Sequence, residues 1–196
     1  MKTLIINGSP RPNGNTADLI NELKKYLEGE VMELSAFRSN IAPCVDCRCC
    51  WETGQCVVKD DMQVIYDDDF DNIVIASPVY FGTMPGQMLS LMSRLQPWHA
   101  KVYFLGQKPD LKKKKAAAIL TAGGKHNEEK AYHHLRAFFK MVGAIEHQPN
   151  QVDFGTDDFV KHVVTSVDTD RIPAIEDEKA LYGVKELAAW LNEWER

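Results

Sequence analysis

The sequence predicts an α/β protein: a doubly wound sheet of five parallel strands with helices on both faces. Three observations carry the expectation. Apolar, strand-like runs alternate with amphipathic helical stripes along the 196 residues, the pattern that parallel strands joined by crossover helices require. The run Asn72 to Ala76 (NIVIA) is apolar after its first residue, as in a strand buried on both faces. The first sixteen residues, MKTLIINGSPRPNGNT, pass directly from strand to turn to helix.

Taken in order, Thr3 to Ile6 form the first strand, and Ala17 to Leu27 the first helix, with apolar residues at 17, 19, 20, 23, 26 and 27 and a stop near Gly29. Val31 to Leu34 is a short second strand. A Cys-rich loop spans residues 43–57, and Asp60 to Tyr66 opens a helix with an acidic first turn. After the third strand, Gly86 to Leu95 is a helix stopped before Pro97. Lys115 to Thr121 is the fourth strand, and Glu128 to Val142 a helix closed by Gly143. Ala144 to Phe154 contains the fifth strand, interrupted by Pro149, and Ile175 to Trp194 is the last helix. No internal repeat or low-complexity linker divides residues 1–196, so one domain is expected.

Composition narrows the function classes. Charged residues are 26% and hydrophobic residues 44% of the chain, ordinary values for a globular protein. A net charge of −5 argues against a nucleic-acid surface, and the basic run Lys112 to Lys115 stands before an apolar strand as a solvated loop. No apolar run approaches a membrane span, and Lys2 is followed by too few apolar residues for a signal peptide. The expectation is a cytoplasmic protein with reduced thiols.

Ligands of doubly wound sheets bind beyond the carboxyl ends of the strands, so the loops there decide the chemistry. The first runs G-S-P-R-x-x-G-N-T from Gly8 to Thr16. Ser9 and Thr16 bring hydroxyls, Asn13 and Asn15 amides and Arg11 a guanidinium to a helix N-terminus, a group that suits a phosphate monoester. The spacing is neither that of a dinucleotide turn nor that of a P-loop. The plainer alternative is a connecting loop with Asn15 or Thr16 as helix cap. After the third strand, Pro78-Val79-Tyr80-Phe81-Gly82-Thr83-Met84 sets two aromatics between a rigid Pro and a permissive Gly. Such a loop can hold a planar heterocycle, or its aromatics can simply plug the sheet edge. After the fourth strand, Thr121-Ala122-Gly123-Gly124 lets backbone approach a ring closely.

All five cysteines lie within thirteen residues, and Cys44, Cys47, Cys50 and Cys56 follow C-x2-C-x2-C-x5-C. The spacing suits a tetrahedral metal or an iron-sulfur cube. Zinc, or free or partly disulfide-bonded thiols in a loop that binds no metal, are the alternatives. Cys49 is surplus to the four-ligand pattern.

Through GSPRPNGNT, ASPVYFGTMPGQM and TAGG, the chain resembles the flavodoxin-like family of NADPH-dependent FMN reductases, and through its cysteine spacing the iron-sulfur flavoprotein branch. The resemblance implies the strand order 2-1-3-4-5 and bound FMN. Ser9, Arg11, Asn15 and Thr16, with Asn13 beside them, would hold the phosphate. Pro78, Val79, Tyr80, Phe81, Gly82 and Met84 would face the isoalloxazine, and Thr121, Ala122 and Gly123 would close its far side. Cys44, Cys47, Cys50 and Cys56 would hold a [4Fe-4S] cluster. NAD(P)H as electron donor comes from the resemblance alone, since no separate dinucleotide site is legible.

No catalytic side chain is expected, because the flavin carries the redox chemistry. Electrons would pass to a quinone or other small acceptor, or to an iron-sulfur partner. Two alternatives stand beside this: an electron carrier in which the cluster shuttles electrons between a ferredoxin-like partner and FMN, and a zinc or thiol-sensing binding module. Relatives of the fold assemble as homodimers or homotetramers, and Trp51 and the Trp-bearing last helix suit a subunit contact. His133 and His134 point about 100° apart on a helix and make a poor chelating pair. With His126 they are expected at a surface or interface, while His99, His147 and His162 are isolated. Asp67, Asp68 and Asp69 are a solvated turn, and Trp98, Trp190 and Trp194 packing residues.

Overall fold

The computed structural model describes residues 1–124, 128–144 and 163–193. Its sheet has five strands, all parallel, in the order β2-β1-β3-β4-β5: β1 Lys2–Asn7, β2 Glu30–Ser35, β3 Asn72–Pro78, β4 Lys115–Ala122 and β5 Val163–Val167. That is the expected order. Alternation within each strand builds two cores. Leu4, Ile6, Ile73, Ile75, Ala116 and Ala118 face one side, while Ile5, Val74, Ala76, Ala117, Ile119 and Val164 face the other. Because both faces are buried, the inner strands have no room for a polar phase. β2, at the edge, does: Glu30, Met32 and Glu33 are exposed.

Helices α1 (Asn15–Tyr26) and α7 (Glu178–Asn192) cover the second face, with Leu19, Ile20, Leu23, Val184, Leu187 and Leu191 fully buried. The first face is covered by α3 (Gln63–Tyr66), α4 (Gly86–Ser93), α5 (Gln96–Tyr103) and α6 (Glu128–Met141). Pro97 does not merely end a helix here. It sits in the first turn of α5, where its missing N–H costs nothing. The cysteine loop also contains a short helix, α2 (Cys49–Thr53). A 3₁₀ turn, Ala174–Glu176, precedes α7, whose cap is Asp177 accepting from the Ala180 N–H at 3.0 Å.

The outer neighbour of β4 is the run VVTSV, to which the sequence reading assigned no element. The fifth strand expected within 144–154 lies outside the described residues apart from Ala144, as do His126, His147, His162 and Trp194. Among the described residues no helix is long and apolar enough to cross a membrane.

Candidate functional site at the carboxyl edge of the sheet

The parallel register brings the ends of β1, β3, β4 and β5 to one edge, and hydrogen bonds join the loops that leave it. Gly8 N–H donates to Ala76 O at 2.8 Å, and Val79 N–H to Thr121 O at 2.8 Å. The hydroxyls of Thr16 and Thr121 lie 2.8 Å apart, both buried. Thr169 N–H donates to Ala122 O at 3.0 Å, so a fourth loop, 168–173, joins the three expected ones. Gly8 is where the first loop meets β3: a Cβ there would stand 2.8 Å from Ser77 Oγ.

Within the first loop, Ser9 is buried; its N–H donates to Asn7 Oδ1 at 2.9 Å, and its Oγ accepts from Arg11 N–H at 3.2 Å. Asn7 in turn donates to Glu33 Oε1 at 2.8 Å, so the strand's last residue fixes the turn. Burial would push the Glu33 carboxyl up, but the bonds from Lys24 and Asn7 hold it below its ordinary value. Arg11 and Asn13 reach into solvent. Asn15 turns away: its Nδ2 donates to Thr169 O at 3.4 Å and its Oδ1 accepts from Ala174 N–H at 2.8 Å. Gly14 occupies the cap position of α1, and no side chain caps that helix. The N–H groups of Asn15, Thr16 and Ala17 therefore have no partner among the described residues, and the positive end of a twelve-residue helix opens onto the loop.

After β3 the chain makes a two-residue turn. Tyr80 N–H donates to Thr83 O at 2.8 Å and Thr83 N–H to Tyr80 O at 3.0 Å. Phe81 and Gly82 between them have φ of 53° and 80°. Gly82 accepts a positive φ freely; Phe81 is held there at a cost. Its side chain is fully exposed, beside a partly exposed Tyr80. Pro78 is half-buried at the strand's end, whereas Val79 and Met84 are packed into the core beneath the turn. Thr83 Oγ1 lies 3.0 Å from His134 Nδ1, tying the turn to α6. After β4, Ala122 is buried, a Cβ on Gly123 would stand 2.4 Å from Asp170 Oδ2, and one on Gly124 would meet nothing within 4 Å.

The cysteines form a second center. Cys44, Cys47, Cys50 and Cys56 line one pocket with Trp51, Arg94 and Pro97, and all five thiols are free. Burial pushes the Cys50 thiol up, and the neighbouring charges of Cys44, Cys47 and Cys56 add to it against its backbone hydrogen bond. Cys49 stands aside, its Sγ directed at Cys47 O at 3.7 Å. Among the described residues no three Cys, His, Asp or Glu side chains close on one point as a single metal ion demands. The four thiols around one pocket fit the donor set of an iron-sulfur cube. Arg94 also lines the pocket, its Nη2 donating to Cys56 Sγ at 3.4 Å. Sequence reasoning missed Asn7, Thr169, Asp170 and Arg94; the available signals were an Asn ending an apolar strand and an Arg inside the apolar stripe Leu91, Met92, Leu95.

An iron-sulfur flavoprotein of Methanocaldococcus jannaschii is 38% identical over 102 residues, 50% of this chain and 53% of that one. One of Archaeoglobus fulgidus is 32% identical over 117 residues, 57% and 50% of the two chains. The chain thus spans about half the length of the curated relatives it matches. The structure of an FMN-dependent NADH-azoreductase from Bacillus anthracis, in complex with FMN, superposes with a TM-score of 0.62, covering 98% of this chain and all of that one. At 15% identity that likeness shows the fold alone. The profile of the NADPH-dependent FMN reductase family matches residues 1–158, and the chain belongs to that family.

Proposed function

We propose that residues 1–196 form one FMN-binding oxidoreductase domain that reduces FMN with NAD(P)H and passes the electrons to a quinone or other small acceptor. The observation that carries this is the uncapped N-terminus of α1, which opens onto the first loop where that loop meets the turns after β3 and β4. Free N–H groups at a helix start are a ready receptor for a phosphate. Ser9 and the exposed Arg11 and Asn13 would complete it. Thr16 would donate the proton left over from its pair with Thr121, while Asn15 would serve the wall of the site. Tyr80, Phe81, Gly82 and Pro78 would line one side of the ring, and Thr121, Ala122, Gly123 and the open backbone at Gly124 the other. Val79 and Met84 would support the turn from below.

When bound, FMN supplies the hydride and electron chemistry. The chain's residues bind the phosphate, shield the ring from water and leave one face open, and no side-chain acid or base is required. The test compares FMN with riboflavin on flavin-free protein by fluorescence quenching. FMN binding at least tenfold tighter than riboflavin, lost in Arg11→Gln, is the expected result; equal affinities would remove the phosphate assignment.

A second center is favoured by the four thiols that line one pocket with Arg94, whose Nη2 donates to Cys56 Sγ at 3.4 Å. There Cys44, Cys47, Cys50 and Cys56 would hold a [4Fe-4S] cluster that exchanges electrons with FMN and a ferredoxin-like partner. Assembly as a homodimer or homotetramer is supported by an apolar surface beside it. Val102, Tyr103 and Phe104 are exposed at the end of α5, with the Phe104 ring stacked on Trp51 at 4.1 Å.

A further inference from the structure

Arg94 follows α4 and is almost wholly buried, its side chain 1% exposed against 4% for its partner Asp60. The pairing is a two-point fork, Nη1 to Oδ2 at 2.6 Å and Nη2 to Oδ1 at 3.2 Å. Nη1 also donates to Ala42 O at 2.7 Å, and Nη2 to Val58 O and to Cys56 Sγ, both at 3.4 Å. Asp60 is held in turn by the N–H groups of Ala42 at 3.0 Å and Met62 at 3.1 Å. Tyr66 hydroxyl donates to Arg94 O at 2.5 Å. The guanidinium's own contacts brace the two ends of the cysteine loop, and it stands directly on one thiol of the four.

A buried ion pair is an expensive way to pin a loop, since an apolar side chain of similar volume does so at least as well. What an apolar residue lacks is a fixed charge. Hydrogen bonds to sulfur and nearby charges are the protein's means of setting the electron affinity of a thiolate-bound cluster. A one-electron reduction adds a negative charge, which a guanidinium favours and a carboxylate opposes.

We infer that Arg94 and Asp60 are a pair of opposed positioning residues that set the reduction potential of the group held by the cysteine pocket, acting through Cys56. This rests on the cluster assignment above. Arg94 raises the potential and Asp60 tempers it, so the two act with opposite sign on a single one-electron step.

The test uses whole protein, reconstituted anaerobically with iron and sulfide. Iron per chain is counted, and the midpoint potential is measured by titration with dithionite as electron source, with FMN stoichiometry as the check on folding. Arg94→Gln is expected to lower the potential by at least a tenfold change in the reduced-to-oxidised ratio, or 59 mV for one electron. Asp60→Asn is expected to raise it, and Arg94→Lys to stay nearer the parent. A bracing role alone would not reverse sign between the two variants. Iron-loaded parent protein whose potential is unmoved in both variants, or moves the same way in both, overturns the inference and leaves the cluster standing. Parent protein that takes up no iron overturns both. If Arg94→Gln does not fold, Asp60→Asn decides alone: an unchanged or lower potential overturns the inference.

Discussion

Replacing Gly8 by Ala tests whether the first loop is held against the third at the carboxyl edge. A Cβ at position 8 would lie 2.8 Å from Ser77 Oγ, 3.0 Å from Ser77 Cβ and 3.4 Å from Met88 Cγ. Ser77 is completely buried in β3, with its Oγ donating to Pro78 O at 3.0 Å, so the two close approaches are to an atom group that has nowhere to go. Overpacking of this kind costs about 1–3 kcal/mol. For a chain of this length that corresponds to a Tm lowered by about 2–12 °C, taking 2–4 °C per kcal/mol. FMN affinity should fall as well, because relief of the clash moves the first loop off the sheet. Ser77→Gly removes both serine contacts and leaves only the ordinary one with Met88. The double variant Gly8→Ala/Ser77→Gly should therefore recover most of the loss relative to Ser77→Gly alone, a coupling of at least ~1 kcal/mol between contacting residues. Urea unfolding of the four proteins measures it. Strictly additive effects, or a Gly8→Ala protein as stable as the parent, would refute the close approach.

Three further expectations can be checked directly. Thr16→Val and Thr121→Val each strand one buried hydroxyl and should cost about 1–3 kcal/mol, while the double variant costs less than their sum; additivity in denaturant melts would contradict the 2.8 Å contact. Burial alone would raise the Asp60 carboxyl, but its bonds from Arg94, Ala42 and Met62 bring it below its ordinary 3.8. Its contribution is complete above that value and is lost as pH falls through the lower folded one; the acid limb of urea midpoints against pH should therefore flatten in Asp60→Asn, and an unchanged limb would count against the pairing. Tyr103→Glu puts a charge in the exposed apolar surface at the end of α5, so light scattering should report a smaller assembly than the parent's, and equal masses would clear that surface of a role in association.

Much of the edge was legible because strand, turn and helix signals are local. The Gly8–Thr16 loop announces itself by five polar donors between a strand and a helix, and four thiols at C-x2-C-x2-C-x5-C announce a shared pocket. What failed to show was whatever depends on partners far along the chain. Asn15 looks like a phosphate donor beside Thr16, yet its amide is spent on Thr169 and Ala174, some 150 residues away. Met84 and Val79 read as ring contacts in an aromatic loop, but both are packed into the core beneath the Tyr80–Thr83 turn, which leaves Tyr80 and Phe81 exposed. The helix from Gly86 does stop before Pro97, as its sequence indicates, but nothing local shows that the same proline opens the first turn of a second helix, α5.

By itself the sequence determined the alternating strands and helices of a doubly wound sheet and the chemistry available at its rim, because hydrophobic period and turn composition act over a few residues; the strand order is implied only by the family resemblance. Tertiary structure alone decided which of those groups point outward. The Thr16–Thr121 pair, the clamp from Asn15, and the placing of Arg94 and Asp60 against Cys56 join segments 34 to 159 residues apart. Such contacts are set by how helices seat on a twisted sheet, and no local pattern along the chain encodes that.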